Sequence, residues 1–207
     1  SSKPTAAGQV RSKAASMSIK ITLRTSGSAS PFRDYLLALA GSTSGDELIL
    51  CSGYFAQKVS ADRLAGAIKG NSSLAKVQIY GHNGVGTDFL SFAKNIKSAH
   101  LATSAFEQAA NPNKWHAKVA LLLKASEPLA GIIGSSTLTQ PAYRVPANHW
   151  NYECDVVIDP HDILNVDVGA GSVIQAILDP NVQQPNELAR LNELLAEVQS
   201  QAWKQVV

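Results

Sequence analysis

Short apolar runs alternate with amphipathic stretches from residue 18 to residue 139. Residues 18–24 alternate apolar and polar side chains, the pattern of a half-exposed strand. Ser30-Pro31 opens a helix. Ser30 suits the N-cap and Pro31 the first helical position, while Phe32, Tyr35, Leu36 and Leu39 share one face and Gly41 follows. Residues 48–55 read as a buried strand ending in Ser-Gly-Tyr-Phe, at an edge where loops gather beside sites in α/β folds. Ser60 is placed to cap a helix with Leu64, Ala67 and Ile68 inward. Residues 76–80 form the next strand. Thr87 or Asp88 caps a helix that buries Phe89, Phe92, Ala93 and Ile96 and leaves Lys94 and Lys97 in solvent. Residues 101–106 make at most a short strand.

The chemistry gathers in the next stretch. Trp115-His116-Ala117-Lys118 leads into the branched apolar run 119–123, which reads as a buried strand. Residues two apart in a strand point to the same face, so His116 and Lys118 project side by side, a good arrangement for meeting a phosphate. A second apolar run, 129–133, ends in Gly134-Ser135-Ser136-Thr137-Leu138-Thr139. Such a small-residue turn offers backbone N–H groups and hydroxyls to an anion. A third run, 154–158, is preceded by Asn151-Tyr152-Glu153, and a carboxylate there could hold an imidazole in one tautomer. Residues 160–170 are irregular and 172–178 read as a short helix. Asn186 caps a last amphipathic helix, 187–204, whose Leu188, Leu191, Leu195, Val198 and Ala202 lie at helical spacing. That face docks on the domain's own sheet or, alternatively, makes a dimer contact.

Strands alternating with helices predict an α/β fold with a central mixed, largely parallel sheet sandwiched by helices, plus the C-terminal amphipathic helix. With 207 residues, 45% of them apolar and 16% charged, the chain is one ordinary globular domain spanning 17–207. Residues 1–16 are Ser/Ala/Lys-rich and read as a disordered tail or added leader, with Met17 as the expected native start. No apolar run approaches the roughly 18 residues of a membrane span. The net charge of +2 gives no global basic signal, so any nucleic-acid site must be a local patch. Cys51 and Cys154, each inside an apparent strand, fit two buried thiols in a reducing, cytoplasmic compartment and suit no metal motif.

His116-Ala117-Lys118, the Gly134-Ser135-Ser136-Thr137 turn and Asn151-Tyr152-Glu153, in this order, resemble the phospholipase D-like superfamily. That family's pattern is His-x-Lys, often an Asp, then Gly-Ser-x-Asn and a downstream carboxylate. The chain departs from it twice: Leu123 stands where many members place the Asp, and Thr137 replaces the Asn. A hydroxyl is shorter than a carboxamide and has one donor instead of two. The resemblance implies an active site that needs two His-x-Lys motifs. With one per chain, it implies a homodimer pairing two copies across a two-fold axis.

The resemblance also implies roles. His116 of one subunit would attack phosphorus, and that of the partner would protonate the leaving oxygen and then activate water. Lys118 would clamp the non-bridging oxygens, Ser135 and Thr137 would add phosphate-binding donors, and Glu153 would fix the His116 tautomer. Neither a metal nor another cofactor is expected, since the sequence shows no acidic metal cluster. Lys114, Trp115, Tyr54 and His82 are weaker candidates for substrate contact, with Lys58 and Arg144 as further basic residues near the cleft. His100, His149 and His161 read as surface residues. The expected function is a metal-independent nuclease acting on nucleic acid, most simply DNA. A lipid phosphodiesterase would need an apolar rim, for which residues 140–150 are the one candidate loop. A degenerate module that binds phosphate without turnover is the third reading, and Thr137 is its support.

Overall fold

A computed structural model of the chain describes residues 19–55, 59–82, 86–99, 105–111, 118–143, 146, 148–166 and 173–178. In chain order its elements are β1 (Ile19–Arg24), α1 (Pro31–Gly41), β2 (Glu47–Cys51), α2 (Val59–Gly70), β3 (Lys76–His82), α3 (Gly86–Ala99), β4 (Ala105–Asn111), β5 (Lys118–Lys124), β6 (Glu127–Gly134), α4 (Gln140–Tyr143), β7 (Glu153–Ile158) and β8 (Val173–Leu178). The strands form one sheet in the order β4-β3-β2-β5-β6-β7-β1-β8.

The mixed α/β sheet flanked by helices is the architecture that the alternating pattern predicts. Its balance differs from a largely parallel one. Parallel pairing is confined to β2–β3 and β3–β4. The neighbours β2–β5, β5–β6, β6–β7, β7–β1 and β1–β8 run antiparallel. The cause is local. Parallel neighbours need a crossover, which α2 and α3 supply, whereas β5 and β6 are joined by the two residues Ala125 and Ser126. Both of these have positive φ, 50° and 70°, as the tightest hairpin turn requires, and the Asp46 carboxylate accepts the Ala125 N–H at 3.1 Å.

Residues 173–178 are strand, not helix. The β-branched pairs of Val173-Ile174 and Ile177 suit an edge pairing with β1, and that long-range partner decides the state. β4 is also longer and later than expected, pairing with β3 along its whole length. Helix starts shift in the same way: α2 begins at Val59 and α3 at Gly86, ahead of the anticipated caps. α1 follows its sequence signal closely, with the Ser30 hydroxyl accepting the Arg33 N–H. The segments 1–16 and 187–204 lie outside the described residues.

From β1 through α1, α2 and α3 each connection steps in one direction across the sheet. Right-handed crossovers then put these helices on one face. α1 packs on α2, and α2 on α3. Beneath them lies the core, with Leu36, Leu39, Leu48, Leu50, Ile79, Phe92 and Leu122 fully buried. The opposite face carries Ile21, Ile49, Leu121, Ile133 and Val156, all partly accessible, and Cys154, which is exposed instead of buried as expected. Cys51 is half-buried. Alternation explains both thiols: each stands one residue out of phase with the core-facing set of its strand. Among the described residues no helix is long and apolar enough to cross a membrane.

Candidate active site

The antiparallel middle of the sheet brings several strand ends to one edge. Cys51 at the end of β2 pairs with Val119, so Ser52 stands level with Lys118 at the start of β5. Lys118 in turn pairs with Gly134 at the end of β6. Gly134 pairs with Asp155, near the start of β7, and Glu153 pairs with Arg24, at the end of β1. Ser52 and Lys118, 66 positions apart in the chain, and Arg24 and Glu153, 129 apart, thus share a few strand widths. The Lys118 side chain lies on the helix-covered face with Ala120 and Leu122 and is half-buried. It helps to line a small surface depression, together with Phe32, Leu50, Ser52, Ser136 and Leu138.

The turn after β6 is stapled to the start of β7. The Ser135 N–H donates to the Cys154 carbonyl at 3.1 Å, and the Cys154 N–H donates to the Ser135 hydroxyl at 3.0 Å. That hydroxyl donates to Glu153 Oε2 at 2.5 Å. Ser136 donates twice to Asp155, from its N–H to Oδ1 at 3.1 Å and from its hydroxyl to Oδ2 at 2.6 Å. Gly134 makes this possible by having no side chain. A Cβ there would strike the Asp155 carboxylate and stand 2.7 Å from Asp155 Cα. Desolvation by burial pushes Asp155 up to about 6, against the Ser136 hydrogen bonds and the nearby Lys118 charge, which both favour the ionised form.

Glu153 is buried. Its second oxygen accepts from the Asn151 side chain at 3.3 Å. A carboxylate has about four acceptor sites, so two engaged contacts leave capacity for an imidazole N–H. Arg24 is 1% exposed. Its guanidinium donates to the carbonyls of Ser26 (3.0 Å), Pro141 (2.6 Å) and Ala142 (2.7 Å), and so ties the short α4 against β1. Burial lowers the Arg24 pKa from its ordinary value, while the neighbouring Glu153 charge raises it. The Trp150 ring centroid lies 5.9 Å from the same guanidinium.

The remaining expected residues distribute as follows. Thr137 is half-buried, and its hydroxyl pairs with that of Thr139 at 2.7 Å. Tyr54 is 50% exposed just past β2. His82 is the last residue of β3, two strands from Lys118. His149 and His161 are exposed. His116, Lys114, Trp115, His100, Lys58 and Arg144 lie outside the described residues. The edge also holds Arg24 and Asp155, which the sequence reading missed, and Ser136, Asn151 and Tyr152, which it quoted within the motifs without a role of their own. Asp155 had a signal, because it follows Glu153 by two in a strand and so shares its face. Arg24 had none, since only the β1–β7 pairing brings it here.

A family model described as the NgoFVII restriction endonuclease N-terminal PLD domain, PLD standing for phospholipase D, matches residues 31–177. No curated protein sequence matches the chain. Among solved structures, the chain is similar to Nuc, a phospholipase D family member from Salmonella typhimurium, at 16% identity, over 70% of this chain and 87% of that one, with a TM-score of 0.44. It is similar to the yeast tyrosyl-DNA phosphodiesterase at 12% identity over 67% of this chain and 32% of that one, TM-score 0.39. The phosphatidylserine synthase of Haemophilus influenzae Rd KW20 aligns at 10% identity over 86% of this chain and 43% of that one, TM-score 0.47. The chain spans less than half of the latter two proteins.

Proposed function

Because the chain belongs to the phospholipase D-type family of the NgoFVII restriction endonuclease N-terminal domain, we propose that it is a metal-independent nuclease. In this reading two copies build one active site and DNA is the substrate. The observation that carries it is the edge cluster: Lys118 at the start of β5, two positions after His116 in the sequence, the Ser135-Ser136 turn and Glu153 gather from three strands.

The chemistry proceeds by two displacements. A ring nitrogen of His116 attacks phosphorus, an N–P bond forms, and the P–O bond to the leaving strand breaks. The partner subunit's His116, protonated, gives its proton to the departing oxygen. The same imidazole then takes a proton from water, hydroxide attacks phosphorus, and the N–P bond breaks to free His116. Two Lys118 ammoniums hold the non-bridging oxygens as point charges. Glu153, fixed by Ser135 and Asn151, has the spare acceptor capacity to hold the far ring nitrogen of His116 and stabilise the imidazolium. Thr137 offers its hydroxyl as a further phosphate contact, whereas Ser135, expected as a second such donor, has given its N–H to Cys154 and its hydroxyl proton to Glu153 and acts by holding that carboxylate.

The test is capture of the intermediate. Reaction with an internally labelled oligonucleotide, quenched in alkali, is expected to leave label on the protein at His116, and brief acid treatment to release it. Cleavage without any labelled protein would remove the phosphohistidine from the account.

A phosphate-binding module without turnover is the second reading. It draws on the Thr137–Thr139 hydroxyl pair, which engages the residue that replaces the family's Asn. Such a module would retain DNA with a steep salt dependence and cleave nothing.

A further inference from the structure

Tyr152, one residue before Glu153, is 54% exposed, so its ring is open to a ligand. It is not loosely placed. Its ring meets that of Trp150 edge-on, with centroids 4.7 Å apart and planes at 63°. Trp150 lies beside the Arg24 guanidinium, which is itself held by three backbone carbonyls. Asn151, between the two aromatics, donates to Glu153. The Trp-Asn-Tyr tripeptide is thus tied to the edge cluster through Trp150 and Asn151, and the Tyr152 ring rests against Trp150.

The large hydrophobic side chains exposed among the described residues are Tyr54, Leu90, Ile133 and Tyr152. Both tyrosines lie at the edge that carries Lys118, Ser135 and Glu153. Tyr54 follows β2 and Tyr152 precedes β7, with β5 and β6 between them. At the usual strand spacing their strands are about 14 Å apart. The basic and hydroxyl groups fall in that gap. Of the exposed aliphatic side chains, Leu90 stands on α3 and Ile133 faces the other side of the sheet, and the aliphatic groups beside Lys118, Leu50 and Leu138, are buried. Flat aromatic surface on each side of a phosphate site suits bases instead, because every base has a face to stack.

We infer that the Trp150–Tyr152 pair is a nucleobase platform that receives an unpaired base next to the scissile phosphate, so that the substrate is single-stranded or locally opened nucleic acid. The inference rests on the nuclease reading above for the position of the phosphate. The platform itself can be tested apart from turnover.

Binding would be followed by fluorescence anisotropy in the His116→Ala protein, using a fluorescein-labelled oligothymidylate and an abasic strand of equal length at one fixed salt concentration. The expected result is tighter binding of the base-bearing strand. Adding Tyr152→Ala should weaken that binding about tenfold or more and erase the preference, whereas Tyr152→Phe should keep it. Thermal melting of each variant would separate a binding loss from a folding loss, and the Phe variant carries the test if the Ala variant does not fold. Equal affinity for the two strands, or a Tyr152→Ala variant that folds and keeps the preference, would overturn the platform. A base preference in a parent protein that cleaves no strand would support the platform while removing the nuclease reading.

Discussion

Ser136 and Asp155 are joined twice, once through the Ser136 N–H and once through its hydroxyl, in a place where Asp155 is 2% exposed. This doubly bonded carboxylate fixes the turn after β6 against β7 and faces Lys118 across the bare backbone of Gly134. Its pKa, pushed up to about 6 by burial, makes it a proton sink of the folded state. Between the ordinary Asp value and 6 the folded chain holds a proton that the unfolded chain has released. The contribution of this group is therefore fully present below that window and is lost as pH rises through it. About two pKa units correspond to about 3 kcal/mol. Asp155→Asn keeps the shape and cannot ionise. Urea unfolding at pH 4 and pH 7.5 is expected to show a smaller fall in stability for the variant than for the parent. Parallel pH profiles of the two proteins would contradict this.

Gly134 is required by the same pair. In Gly134→Ala the new methyl meets the Asp155 carboxylate and backbone, so neither a flexible tip nor solvent can give way. A loss of about 3 kcal/mol is expected, at the upper end for overpacking a tight site. Circular dichroism during thermal melting measures it, and a melting temperature equal to the parent's would show that β7 moves more freely than this edge implies.

Glu153→Gln separates holding from charge. The amide still accepts from Ser135, but it carries no charge for an imidazolium and places an N–H₂ where one acceptor stood. The expected outcome is kcat lower by about 10²-fold or more with little change in melting temperature. Steady-state cleavage of bis(p-nitrophenyl) phosphate reads the first, and differential scanning fluorimetry the second.

The Ala125-Ser126 turn offers a gain of stability remote from the site. Ser126 at φ 70° bears the cost of a left-handed conformation that glycine adopts freely. Ser126→Gly is expected to stabilise the fold by about 1 kcal/mol. The same urea titration checks it, at constant activity.

Legibility of the fold from sequence followed the range of the interactions that decide it. α1 was legible because its signals, Ser30, Pro31 and a buried face of Phe32, Tyr35, Leu36 and Leu39, are local. The β5 and β6 strands were legible because each holds an apolar run of five residues, 119–123 and 129–133. β8 was misread as helix because Val173–Leu178 becomes a strand only through β1, some 150 residues earlier. The largely antiparallel balance was missed for a related reason: two residues, Ala125 and Ser126, convert an apparent strand succession into a hairpin. At the site, Lys118, Ser135, Thr137 and Glu153 are named by the family resemblance, and the structure brings them to one edge. What could not be seen was how they are held. The Ser135–Glu153 and Ser136–Asp155 bonds depend on the β6–β7 register, and Arg24 arrives by a pairing that no motif encodes.

The most direct measurement of the central claim is cleavage of circular single-stranded DNA, with supercoiled plasmid beside it, in excess EDTA by the parent, His116→Ala and Lys118→Ala proteins. The account predicts nicked or linear product from the parent in EDTA, none from His116→Ala, and at least a hundredfold less from Lys118→Ala. Equal cleavage by parent and His116→Ala, or none by the parent in EDTA, would contradict it.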